Sequence, residues 1–123
     1  MEFKPVTDAE LAILECLWES SSATKREMAL AVYGSGSDSG QATVQKLLQR
    51  LEAKGYVSRD RSQTAHVFAA TLSKAEFAGR QLEVVADRFS AGSFLPLVMH
   101  LVENQRLSKS ERKRLRKLLE NED

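Results

Sequence analysis

Residues 41–55 read QATVQKLLQRLEAKG, and residues 56–70 continue YVSRDRSQTAHVFAA. In the first stretch Val44, Leu47, Leu48 and Leu51 fall at helical spacing, which predicts one amphipathic helix from about Gln41 to Lys54 with its apolar stripe turned inward. Gly55 follows it, at the place where a helix end favours a left-handed residue. In the second stretch two short alternating runs, Tyr56 to Arg61 and His66 to Ala70, flank a turn from Ser62 to Ala65. That spacing predicts a β-hairpin.

On either side, helix starts are marked by four Ser/Thr-x-x-Glu pairs: Thr7/Glu10, Thr24/Glu27, Ser73/Glu76 and Ser108/Glu111. In each, the hydroxyl accepts from a first-turn amide while the glutamate reaches back to the cap amide. The first helix carries Leu11, Leu14 and Trp18 on one stripe, widened by Ile13 and Leu17, and stops near Ser20. A short second helix runs from about Lys25 to Val32 and turns Met28 and Val32 inward. Gly34 to Gly40, rich in Gly and Ser, reads as a flexible loop. Beyond the hairpin come a helix from Ser73 to a break at Ser90–Gly92, another over Phe94–Asn104 with Pro96 in its first turn, and a last one from Lys109 to about Asn121.

Three helices followed by a hairpin is the element order of a winged helix-turn-helix module, whose third helix enters a major groove while the hairpin reaches the adjacent backbone. The expected fold is therefore mainly α with a small β-hairpin wing: a winged-helix DNA-binding domain over residues 1–72, then a helical dimerisation region over 73–123. Gln41, Ala42, Thr43, Gln45 and Lys46 are placed toward the groove, with Thr43 and Lys46 the leading phosphate or base contacts. Arg50 anchors the backbone or a salt bridge. Arg59 and Arg61 share one face of the first wing strand, as a phosphate grip requires.

The 123 residues hold 18 Lys and Arg against 17 Asp and Glu, a formal net charge of +1, so any surface for a polyanion is local. Between Ser39 and Ala70 five basic residues (Lys46, Arg50, Lys54, Arg59, Arg61) meet two acidic ones (Glu52, Asp60), a net of +3, which leaves −2 for the rest. One cysteine, Cys16, cannot form an internal disulfide; it reads as a small packed hydrophobe. Trp18 reads as core. His66 and His100 lie far apart without Cys or spaced acidic neighbours, so no metal site and no cofactor is expected, and His66 reads as decoration of the wing. No nucleophile, acid-base pair or phosphate-cradling loop points to an enzyme. The longest apolar run, Phe94 to Val102, is about half a bilayer span, and the acidic start is unlike a signal peptide; a soluble cytoplasmic protein without membrane insertion is expected.

Several stretches resemble the penicillinase repressor (BlaI/MecI/CopY) family of bacterial transcriptional repressors. Thr7 to Trp18 is similar to the family's early Glu with a Trp at the end of the first helix. Residues Thr43 to Gly55 resemble its Thr-Val-x-x-x-Leu-x-Arg-Leu-x-x-Lys-Gly signature. The C-terminal part, from Gly92, Ser93 and Phe94 through Leu97, Val98, Leu101 and Val102 to Leu115, Leu118 and Leu119, is similar to the region that holds that family's dimers together. The resemblance implies a homodimer that binds a pseudo-palindromic double-stranded DNA operator and blocks transcription of a β-lactam-resistance or stress-type operon. It implies release by a membrane sensor-protease pathway that cuts within the helix before the last. There the family's Asn-Phe pair corresponds to His100 and Leu101, a departure in this chain. The paired C-terminal cysteines of the copper-responsive branch are missing, which excludes copper sensing by that route. The wing departs as well, with Gln63, Thr64 and Phe68 where the family often has Gly-Arg and a Tyr.

Read without the resemblance, Phe94, Leu97, Val98, Leu101, Leu115, Leu118 and Leu119 are more apolar surface than a short helical tail buries by itself, which calls for a partner surface. An intramolecular hairpin core is the alternative. The basic run Arg112 to Lys117 reads as a solvated helix face, with an auxiliary phosphate contact as its alternative. For the whole chain, the rival to a repressor is a winged-helix protein-interaction module without DNA binding.

Overall fold

Every Ser/Thr-x-x-Glu pair closes into a reciprocal cap in the computed structural model, which describes residues 3–121. The first two and last two residues of the expected domains lie outside the described residues. The element order is α1 (Asp8–Ser20), β1 (Ala23–Thr24), α2 (Lys25–Tyr33), α3 (Asp38–Ala53), β2 (Val57–Asp60), β3 (Val67–Ala70), α4 (Lys74–Phe89), α5 (Leu95–Glu103) and α6 (Lys109–Glu120).

Two features differ from the sequence expectation. The third helix begins at Asp38 rather than near Gln41, because Ser37 caps it by accepting from the Gly40 amide at 3.2 Å. Gly40 is part of that first turn: a Cβ there would lie 2.9 Å from the Ser35 carbonyl oxygen, so only glycine lets the turn and the helix approach so closely. The Gly/Ser tract is a tight turn and a helix start, not a flexible loop. The wing also gains a third strand. β1 pairs antiparallel with β3 (Ala23 opposite Phe68, Thr24 opposite Val67), giving the order β1-β3-β2. Thr24 takes extended backbone as the cap of α2, and one more extended residue before it suffices to pair with β3.

The structure divides between Gln81 and Leu82, inside α4, rather than at the expected 72/73 boundary. The physical reason is Phe77, which is buried in the core of the first unit. Its ring stands 5.1–5.6 Å from those of Phe3, Tyr56 and Trp18. The rest of that core comes from Ile13, Leu14 and Leu17 of α1, Met28 and Ala29 of α2, Val44, Leu47, Leu48 and Leu51 of α3, and Val57 and Phe68 of the sheet. Val32, expected to be buried, is only partly so. Trp18 packs against this core and donates its indole N–H to the Leu72 carbonyl at 2.9 Å.

Among the described residues one charged residue, Glu10, is fully buried. Glu10 accepts from Lys54 Nζ at 2.9 and 2.8 Å through its two carboxylate oxygens, and the same ammonium donates to the Pro5 carbonyl at 2.9 Å. Burial pulls the Glu10 carboxyl upward, but hydrogen bonds from Lys54 and Thr7 outweigh it, so the group sits below its ordinary value. The pair ties the end of α3 to the start of α1 and fixes the direction of α3. Cys16 is half-buried, and burial, followed by the nearby Glu19, pushes its thiol up, away from thiolate reactivity.

In the second unit, Ala86 is the one buried hydrophobic side chain among the described residues. Ten large hydrophobic side chains of this unit are at least 40% exposed, up to 74% at Phe89. No helix among the described residues is long and apolar enough to cross a membrane.

Candidate nucleic-acid interface

The four buried residues of α3 lie on one side of the helix, which fixes what the opposite side offers. Ala42, Gln45, Lys46 and Gln49, at i, i+3, i+4 and i+7, form an exposed stripe pointing away from the core. The Ser37 cap and the tight turn before it position the start of this stripe. Lys46 and Arg50 are exposed, and neither is in a hydrogen bond or ion pair to another side chain among the described residues. Both are free to meet an anion.

The other residues singled out in the sequence are placed less simply. Gln41 is half-buried, and its amide donates to the Gly36 carbonyl at 2.8 Å, so it braces the turn. The Thr43 hydroxyl is exposed and donates to the Ser39 carbonyl at 3.2 Å. Gln45 accepts from Lys25 Nζ at 3.0 Å. On the wing, Arg59 is ion-paired with Glu52 and lies over the Phe68 ring at 5.0 Å from its centroid. Arg61 is exposed beyond the end of β2, so the two arginines do not share a strand face. Of the five cations counted in the basic excess, Lys54 and Arg59 are therefore committed inside the protein, while Lys46, Arg50 and Arg61 remain outward.

The sequence reading missed a groove of about 550 Å³ between the start of α2, the first half of α3 and the wing. Lys25, Arg26, Thr64 and His66 line it, together with Gln41, Gln45 and Arg59. One signal was available: the Thr24/Glu27 cap places Lys25 and Arg26 in the first turn of a helix, where two cations are out of keeping with the helix dipole. The strand that sets this turn beside the wing is two residues long and has no alternation to detect.

The seven residues proposed for dimerisation all lie in the second unit and none is buried. Phe94, Leu101, Leu118 and Leu119 are exposed, and Leu97, Val98 and Leu115 are half-buried. The His100–Leu101 bond sits inside α5, and the His100 carbonyl accepts from the Asn104 amide nitrogens of backbone and side chain. On α6, Lys109, Arg112, Lys113 and Arg116 line one cationic face.

A family profile described as "Penicillinase repressor" matches residues 6–121. The chain belongs to the penicillinase repressor family. A relative named penicillinase repressor, from Bacillus licheniformis, is 25% identical over 115 residues, which span 94% of this chain and 89% of the relative. Among solved structures, the oxidised form of MarR from E. coli superposes with a TM-score of 0.50 at 20% identity, over 94% of this chain and 74% of the other. That likeness concerns the fold alone, a winged helix, and agrees with the three helices and small antiparallel sheet of the first unit. The family signature between Thr43 and Gly55 divides by role in the structure. Val44, Leu47, Leu48 and Leu51 are core, Lys54 holds Glu10, and Lys46 and Arg50 stay exposed.

Proposed function

We propose that this member of the penicillinase repressor family is a cytoplasmic, DNA-binding transcriptional repressor that acts as a homodimer on a pseudo-palindromic operator. The observation that carries the reading is the exposed α3 stripe of Ala42, Gln45, Lys46 and Gln49, opposite the helix's buried face. A major groove admits an α-helix, and the polar side chains of this stripe suit base edges and phosphates. One such stripe contacts few phosphates, whereas two related by a twofold axis read two half-sites one helical turn apart. The uncovered apolar side chains of α4, α5 and α6 supply the twofold surface, Phe94, Leu97, Val98, Leu101, Leu115, Leu118 and Leu119 among them. Kinship with the family supports regulated genes of the β-lactam-resistance or stress type and release through a membrane sensor-protease pathway that cuts within α5, where His100–Leu101 stands in place of the family's Asn-Phe pair.

The test is a binding titration of the purified chain against the DNA upstream of its own gene and against a scrambled duplex, across a salt series. A steep fall of affinity with salt, together with a preference for the upstream DNA, is the expected result. Absence of binding to both duplexes overturns the reading in favour of a protein-interaction module.

A further inference from the structure

The exposed α3 stripe carries two glutamines whose amides stand in different surroundings. Among the described residues, the glutamine amides that hydrogen-bond within the chain are those of Gln41 and Gln45, so Gln49 keeps both its amide oxygen and its amide nitrogen free. Gln45 does not. Its partner is Lys25, the first residue of α2, whose Nζ stands 3.0 Å from Oε1. An ammonium carries donors and no acceptor, so the amide atom facing it is necessarily the oxygen. The planar amide then turns its Nε2 protons away from Lys25.

The place of Lys25 has a structural origin. Pairing of β1 with β3 holds the Thr24 cap opposite Val67, which fixes where α2 begins and hence where the Lys25 side chain starts its reach to α3. The dipole of α2 does not favour a cation in that first turn, so the helix itself gains nothing from Lys25. No carboxylate lines the groove that Lys25 and Gln45 share, and Lys25 forms no ion pair among the described residues. Its ammonium is left to Gln45.

Base recognition depends on which amide atom is still free. In the major groove guanine presents two acceptors, N7 and O6, while adenine presents the N7 acceptor beside the N6 amino donor. A free glutamine amide matches adenine, its oxygen accepting from N6 and its nitrogen donating to N7. With a cation already on Oε1, the adenine amino group is brought against a second donor at the same oxygen. Guanine meets no such conflict: Nε2 donates to its edge, and the nearby ammonium favours an acceptor there.

We infer that Lys25 sets the base preference of Gln45, turning a side chain that by itself suits adenine into a donor that reads guanine in each operator half-site. The inference rests on the DNA-binding reading above and deepens it by naming the base and the residue that selects it. Lys25 acts through Gln45 and is a positioning residue, a role distinct from contact with a phosphate.

The experiment is selection of duplexes by the full chain from a pool randomised over about two helical turns, enough for two half-sites, with sequencing of the bound fraction. The wild type is expected to enrich a motif in which one position per half-site favours guanine over adenine about tenfold. Lys25→Met frees Oε1 and is expected to move that position to adenine while the rest of the motif stays as it was. Lys25→Arg, which retains the charge and the donors, keeps guanine. Gln45→Ala flattens the preference at the same position, and adding Lys25→Met to it changes nothing further there, the signature of two residues acting as a unit. Far-UV circular dichroism follows the fold of each variant, and Lys25→Ala repeats the measurement if Lys25→Met melts early. A Lys25 variant that lowers affinity and salt slope equally for all sequences, with the motif unchanged, makes Lys25 a phosphate contact and overturns the inference. So does a wild-type motif whose Gln45-dependent position favours adenine, or a motif that Gln45→Ala leaves intact, although the α3 reading survives these results. Failure of the wild type to enrich any sequence removes that reading and the inference together.

Discussion

The two units of the chain bury their apolar residues to different degrees. The first draws its core from α1, α2, α3, the sheet and Phe77, and even buries the Glu10 carboxylate against the partly exposed Lys54. The second consists of the end of α4, α5 and α6, and among its described residues Ala86 is the one buried hydrophobic side chain. α5 is apolar on most of its circumference, with Leu95, Leu97, Val98, Met99, Leu101 and Val102 within nine residues. A face that wide on a short helix needs covering on more than one side. The difference teaches that one unit closes its own core, while the other leaves most of its apolar side chains uncovered, as the proposed dimer requires.

Breaking the finished unit is expected to have the largest effect. Lys54→Met leaves the Glu10 carboxylate buried without its partner and is expected to cost about 3 kcal/mol, the low end for a broken buried pair because part of Lys54 is exposed. Urea denaturation of the wild type and variant measures it. The pH dependence follows from the direction of the shift. Glu10 is held below its ordinary value, so its stabilisation is present above the unfolded-state value and is lost as pH falls through the folded-state value. In the variant the lowering by Lys54 is gone and burial is opposed only by the Thr7 hydrogen bonds, so the group moves up and protonation costs less than in the wild type. The stability gap between the two proteins should therefore narrow on acidification; a gap that widens contradicts the assignment.

Breaking the unfinished unit should leave the first one intact. Leu118→Asp with Leu119→Asp places charges where a second copy is expected to pack, and both positions are about two-thirds exposed in the single chain. The expected outcome is a monomer by light scattering, with an unchanged melt of the first unit and about a 100-fold loss of operator affinity, equivalent to about 2.7 kcal/mol. If the wild type is itself a monomer at working concentration, the contrast between the two units loses its meaning.

The same contrast between committed and free groups exists within the basic residues. Lys46→Ala is expected to weaken DNA binding about tenfold and to lower the salt slope by about one. Arg59→Ala should change the slope less, since its guanidinium already has a partner in Glu52. Equal slopes for the two variants, measured by the same titration, remove the distinction.

How much of this was legible in the sequence depends on the range over which each signal acts. Caps are local, so all four helix starts were readable from pairs three residues apart. The core stripe of α3 repeats with the helix period and was equally plain. The Glu10–Lys54 pair was not, because the partners are 44 residues apart and each has an ordinary local reading, one as a cap and the other as part of a basic excess. β1 was invisible for a related reason: two residues show no alternation, and its strand character comes only from pairing with β3. Without β1 nothing in the sequence brings Lys25 near His66, so the groove was missed with it. Arg59 was misjudged by alternation alone, which gives the face of a strand but not whether Glu52 and Phe68 wait there.

The smallest effect concerns the joint between the legible helix and the legible hairpin. Gly55 has φ +83°, and a Cβ added there meets nothing within 4 Å. The cost of Gly55→Ala is then conformational and not steric, about 1 kcal/mol for holding an L-residue in the left-handed region. Gly55 also presents its carbonyl to the Thr71 hydroxyl at 2.7 Å, and Tyr56 next to it closes the turn by donating its amide to Leu51. If the alanine variant relaxes this backbone, the wing swings relative to α3, and DNA affinity falls by more than the stability loss accounts for. If the turn holds, urea denaturation shows the loss while the salt slope of DNA binding stays at the wild-type value. The second outcome is expected, because three strands and the buried Tyr56 and Phe68 fix the wing independently of that one residue.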